Sequence, residues 1–166
     1  MPNDAGQLLK IACDNAYDQY PDSCSHAVWS VMRARGQPNQ DYRTANALID
    51  YLIANWLEVG LTDGHALAMK GEVVIGGLKG TAHGHVILIY PAASIESGGY
   101  QFLYKKKNSM IKMRSHGKYP PCMSTSIGSW PGAMSKGDKT VWDPWGDDNV
   151  FEKVKSWALK EKSAQT

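Results

Sequence analysis

The sequence predicts an α+β fold in which N-terminal helices pack on an antiparallel sheet, and three observations carry that expectation. Apolar residues recur at three- and four-residue steps through the first third of the chain. Runs rich in β-branched residues and bounded by glycine begin only after residue 70. No tract lacks the large apolar side chains needed to bury a core. Helices followed by strands is the order of α+β proteins. At 166 residues one domain spanning 1–166 is expected, long enough to bury a core without disulfides or a structural metal.

The elements follow in order. Leu8, Leu9, Ile11, Ala12 and Ala16 share helical spacing after Asn3 and Asp4 as candidate caps, giving a first helix over 4–18 that Pro21 ends. A second helix opens at Cys24 within CSHAVWSVMRARG, with Ala27, Val28 and Val31 on one face and Gly36 as its stop. A third spans about 44–57 through Ala45, Leu48, Ile49, Leu52, Ile53 and Trp56, and a short one is possible at 63–69. EVVIGG and HVILIY then read as paired strands joined by the loop LKGTAHG. GYQFLYK at 99–105 is a third strand and TVWD at 140–143 a later one; a final helix from Asp148 turns Val150, Phe151, Val154 and Trp157 inward. The stretch from Lys118 to Gly137, rich in proline and glycine, is expected to be loop or irregular strand.

Composition excludes several functions. Eighteen Lys and Arg against sixteen Asp and Glu leave a net charge of +2, far from the one-sided charge of nucleic-acid binders. No apolar run is long enough for a signal peptide core or a membrane span, so neither cleaved export nor membrane insertion is expected. The three cysteines, at 13, 24 and 122, form no CxxC pair and suggest neither a disulfide framework nor a zinc ribbon. No cofactor and no metal are expected.

Chemistry concentrates at Cys24. At the start of a helix, free backbone N–H groups and the positive end of the helix dipole favour a thiolate, and the same groups can receive an oxyanion. Asp22, Ser23 and Ser25 make the surroundings polar, unlike those of a buried structural cysteine. A thiol nucleophile needs a histidine to hold its proton and return it to a leaving amine. Of five histidines, His26 is too close in sequence to face Cys24 from a helix, and His65 and His116 lack a rigid placement. His85 starts an apolar strand directly after Gly84, whereas His83 falls within the loop.

A cysteine that opens a helix, followed by a strand pair whose second member begins Gly-His, is the papain-like arrangement. The segments DSCSHAVWSV at 22–31, GGLKGTAHGHVILI at 76–89 and KYPPCMSTSIG at 118–128 resemble the amidase effectors of the bacterial type VI secretion system. The likeness is to the first family of those effectors, which are similar in turn to NlpC-type peptidoglycan peptidases. The resemblance implies a papain-like (NlpC-type) domain with Cys24 as nucleophile and His85 as base. Ser124 is the matching position for a third group that orients the imidazole, where a carboxylate or amide is more usual; Asp143 is its rival if the later strand folds back beside His85.

The resemblance further implies a peptidoglycan amidase that cuts the γ-D-glutamyl-meso-diaminopimelate bond of Gram-negative wall stems. A related family instead cuts the D,D cross-link between diaminopimelate and D-alanine, and a wall-binding module without catalysis is the alternative from another class. Such effectors are made in the cytoplasm and carried by the type VI apparatus into a rival's periplasm, and sibling cells hold an immunity protein that plugs the groove. For substrate contacts the sequence offers Ser23 and Ser25 beside the nucleophile and Lys79 as a cation shortly before His85. Trp130, with Trp142 and Trp145, could wall a groove. Lys105, Lys106, Lys107, Lys112, Arg114 and Lys118 form a basic run without an acidic residue, suited to a polyanion such as the wall or to an acidic inhibitor.

Overall fold

A computed structural model describes residues 2–37, 40–94, 101–104, 108–112, 119–126 and 130–159. Three helices come first: α1 (Asp4–Gln19), α2 (Cys24–Ala34) and α3 (Ala45–Asn55). Each begins where a polar side chain satisfies an otherwise orphaned N–H. Asn3 accepts from Gly6 N–H, Ser23 from His26 N–H and Thr44 from Ala47 N–H. On α1 the buried stripe is Leu9, Ala12, Cys13 and Ala16, one residue round from the expected face. Leu8 and Ile11 are therefore exposed, because the 9-12-13-16 spacing lies on the core side and they do not. Ile53 on α3 is likewise exposed, while Leu48, Ile49 and Leu52 are buried.

After α3 come β1 (Leu57–Val59), α4 (Leu61–Met69), β2 (Val74–Leu78), β3 (His85–Ile89), β4 (Gln101–Tyr104) and β5 (Ser109–Lys112). The chain continues through β6 (Pro121–Ser124), β7 (Ser135–Thr140), α5 (Asp148–Phe151) and β8 (Lys155–Ala158). Six strands form one antiparallel sheet in the order β1-β8-β2-β3-β6-β7, and β4 with β5 makes a separate hairpin. The expected α+β class, with helices packed on an antiparallel sheet, is therefore what the chain adopts.

Strands β2 and β3 are apolar along nearly their whole length because both faces of the sheet are covered there. A Cβ placed on Gly77 would lie 3.1 Å from Ile49 of α3, whereas one on Gly64 of α4 would lie 2.9 Å from Ile89 and 3.2 Å from Val74. Side chains alternate along a strand, so α3 and α4 sit on opposite faces. Gly77 pairs with Val86 and Leu78 with His85, which fixes the start of β3 against the end of β2. One apolar cluster joins Leu9, Val28, Met32 and Leu52 of the helices to Ile75, Leu88, Met123 and Trp157 of the sheet.

The second half of the chain departs from expectation in three places. The final helix stops at Phe151, and Trp157 reaches the core from strand β8, between β1 and β2. The apolar positions there fit either period, and the open edges of β1 and β2 decide for the strand. TVWD is not a strand: β7 precedes it, ends at Thr140 and gives way to a turn in which Asp143 Oδ2 accepts from Thr140 N–H at 2.8 Å and Oγ1–H at 3.0 Å. The stretch expected to be loop contains β6, which pairs with β3 at Leu88–Met123 and Ile89–Cys122. Of the third expected strand, Gln101–Tyr104 is a strand of the separate hairpin. His116, Lys105, Lys106, Lys107, Arg114 and Lys118 lie outside the described residues.

Candidate functional site

Cys24 is the first residue of α2. Ser23 takes the His26 N–H at 3.3 Å and its carbonyl accepts from Ala27 N–H at 3.0 Å, so the cap leaves the N–H groups of Cys24 and Ser25 to the Cys24 sulfur. Cys24 and His85 line one cleft of about 440 Å³, together with Ser23, Ser25, Tyr42, Asn46, His83 and Ser126. The cleft forms because α2 packs on β3, bringing a helix start to a strand start. His26 is turned away into an aromatic stack, 4.0 Å from Tyr42 and 5.7 Å from Tyr20, ring centre to ring centre. His65 faces the carbonyl of Ala92 at 2.7 Å.

The imidazole of His85 is held at a defined atom. Its Nε2 lies 2.8 Å from Ser124 Oγ, and that hydroxyl donates to Ala133 O at 2.7 Å. A hydroxyl has one proton. With it given to Ala133, Ser124 can only accept, so Nε2 carries the ring proton and Nδ1 keeps a lone pair for a thiol. Trp145 stands edge-on to the ring, with centroids 5.5 Å apart. Asp143 does not take this place: it is fully buried, and Oδ2 is engaged by Thr140.

Electrostatics favour the neutral forms at rest. Burial pushes the Cys24 thiol up, opposed by backbone hydrogen bonds at Val86, Ser25 and Cys24 itself. Burial also lowers His85 to about 4. Neither group gains by charging alone, but an imidazolium and a thiolate formed together would stabilise each other. The arrangement therefore suits proton transfer from thiol to imidazole as the sulfur attacks. Cys13 and Cys122, both buried, have their thiols pushed far above the usual range and take no part in such chemistry.

The remaining sequence candidates distribute unevenly. Ser23 and Ser25 line the cleft, the latter with its hydroxyl 2.7 Å from Tyr42 Oη. Lys79 is not among the lining residues; its ammonium pairs with Asp50 at 2.8 Å. Trp130 is also outside the lining, its Nε1–H donating to Asp143 O at 2.9 Å, and Trp142 is a core residue bonded to Asp148. Sequence reasoning missed Tyr42, Thr44, Ala45 and Asn46, which bring the start of α3 to the cleft. Thr44 was readable as a helix cap, but nothing local shows that this cap faces Cys24. Among the described residues no group of three His, Cys, Asp or Glu could hold a metal ion, and no helix is long and apolar enough to cross a membrane.

A smaller cavity of about 250 Å³ lies elsewhere, lined by Glu58, Leu61, Gly76, Ile87, Phe151 and Lys155 among others, without a nucleophile–base pair. No protein-family model matches the chain. Among curated proteins, the chain is similar to the peptidoglycan amidase Tse1 of Pseudomonas aeruginosa, with 32% identity over 149 residues that span 84% of this chain and 81% of that protein.

Proposed function

The chain belongs to the family of that peptidoglycan amidase, and on that premise we propose that it hydrolyses the γ-D-glutamyl-meso-diaminopimelate bond of Gram-negative wall stems with Cys24 as nucleophile. The observation that carries the mechanism is the shared cleft, with His85 held through Nε2 so that Nδ1 is left for the thiol.

In the first half-reaction His85 takes the thiol proton while sulfur bonds to the amide carbon. On this reading the N–H groups at the start of α2 receive the resulting oxyanion. Collapse breaks the C–N bond, His85 returns the proton to the departing amine, and a thioester remains. In the second, His85 takes a proton from water, the hydroxide attacks the thioester, and the carboxylate leaves as Cys24 regains its proton.

Substrate carboxylates need donors near the scissile bond. With Lys79 engaged by Asp50, no Lys or Arg lines the cleft among the described residues. The starts of both α2 and α3 lie there instead, which supports recognition by backbone N–H groups and by Ser23 and Ser25. The same family reading makes the protein an antibacterial toxin, made in the cytoplasm and delivered by a type VI apparatus into a recipient periplasm. Its partner in sibling cells is an immunity protein that occludes the cleft.

Digestion of purified Gram-negative sacculi with mass analysis of the fragments tests the reading. Stems ending in D-glutamate support it. Intact tetrapeptide monomers released from dimers assign the enzyme to the D,D cross-link, and equal release by wild type and Cys24→Ala sinks the thiol mechanism.

A further inference from the structure

The loop between β2 and β3 supplies part of the wall of the cleft through Ala82, His83 and Gly84, and Ser23, Cys24 and Ser25 line it from the start of α2. Its residues 79–83 are exposed, so packing does little to hold them. What does hold them is Asn46, in the first turn of α3. Its Oδ1 accepts from Gly80 N–H at 3.1 Å and its Nδ2 donates to Gly80 O at 3.0 Å, so both ends of one amide close on the backbone of one residue. One turn along α3, Asp50 holds the neighbouring Lys79.

The loop is also tight on its own side. A Cβ on Gly80 would strike His83 O, and one on Gly84 would strike Asn46 Oδ1, so Gly80, His83, Gly84 and the Asn46 amide pack against one another. Displacing Gly80 therefore displaces the wall.

His85 is fixed by other means: its pairing with Leu78, its bond to Ser124 and its contact with Trp145. Wall and base thus have separate supports. We propose that Asn46 is a positioning residue that sets the width of the substrate cleft by clamping Gly80, and governs substrate binding without taking part in proton transfer. This rests on the reading of Cys24 and His85 as the reacting pair. It adds a residue to recognition that no motif around the cysteine or histidine includes.

The test is steady-state kinetics of the full chain on a soluble meso-diaminopimelate tetrapeptide. Asn46→Ala loses both hydrogen bonds of a solvent-facing clamp, and KM rises about tenfold while kcat changes by less than about threefold. The acid limb of the pH–rate profile stays where wild type has it. Asn46→Asp keeps an acceptor for Gly80 N–H but turns its other oxygen on Gly80 O and adds a negative charge to a cleft that takes carboxylates, so KM rises about tenfold or more, at least as much as in Asn46→Ala. Lys79→Ala, which removes only an exposed ion pair, shifts KM by less than about twofold.

Circular dichroism and thermal melts accompany each variant; where Asn46→Ala does not fold, Asn46→Asp carries the comparison. A wild-type KM in a folded Asn46 variant overturns the proposal, as does a fall in kcat with a displaced acid limb and unchanged KM. The reading beneath it fails separately, through an active Cys24→Ala.

Discussion

Removing the Ser124 hydroxyl affects two bonds at once, and their sizes can be set against each other. The side chain is buried, accepting from His85 Nε2–H at 2.8 Å and donating to Ala133 O at 2.7 Å. Ser124→Ala leaves both partners unsatisfied in a region with little water, at a cost of about 2–3 kcal/mol in folding stability. The effect on turnover is smaller. The lost acceptor favoured the Nε2–H tautomer by about 1.4 kcal/mol, while strand pairing and Trp145 still place the ring, so kcat falls about tenfold. Urea melts give the first quantity and initial rates on a soluble stem peptide give the second. Asp143→Asn is the control: the buried carboxylate serves Thr140, so its replacement costs about 1–2 kcal/mol of stability and leaves kcat within about twofold. Undiminished kcat in folded Ser124→Ala refutes the orienting role. A loss beyond about a thousandfold refutes the claim that the ring is otherwise placed.

On the proposed mechanism Cys24→Ala and His85→Ala each bring hydrolysis to background, a loss of at least about a thousandfold, because a nucleophile and its base act as a unit; His83→Ala, measured alongside, loses less than about tenfold. His85 must be neutral to accept the thiol proton, so with its imidazole lowered to about 4, kcat/KM stays flat down to roughly pH 5 and drops below it; a pH–rate profile breaking near 6.5 would contradict this. The same shift means that the unfolded chain binds a proton before the folded one as pH falls. The contribution of His85 to stability is complete above 6.5 and is lost as pH falls toward 4, so acid melts of wild type are steeper than those of His85→Ala. Gly77→Ala puts a Cβ 2.8 Å from His85 O and 3.1 Å from Ile49 Cδ1, and calorimetry should show a loss of about 1–3 kcal/mol.

The first half of the fold was readable because its signals are local. Caps at Asn3, Ser23 and Thr44 sit where the pattern places helix starts. His85 could be placed at a strand start because glycine and a β-branched run mark the boundary. Trp157 shows the limit: four residues of strand have no periodicity of their own, and the vacancy between β1 and β2 that they fill lies far away in sequence. Lys79 and Asn46 fail together for one reason. Charge made Lys79 visible in the sequence, but the amide of Asn46 meets the loop through a pairing across 34 positions that no window contains. Ser124 was located by resemblance alone, since β6 lies in a stretch whose composition reads as loop.

The placement of β8 also bears on when this molecule can be complete. Ala158 of β8 pairs with Leu57 on one side and with Val74 on the other, so β1 and β2 are joined only by a segment that lies far later in the chain. Closing so long a loop is an entropic barrier that local helix formation cannot lower, and such topologies fold slowly. On the ribosome, β1 and β2 each keep an unpaired edge until residues 155–158 emerge, and β2 is the strand whose end aligns His85. Until β8 is in place the sheet that aligns the cysteine and the histidine is therefore not closed, and the proposed hydrolysis waits for that strand.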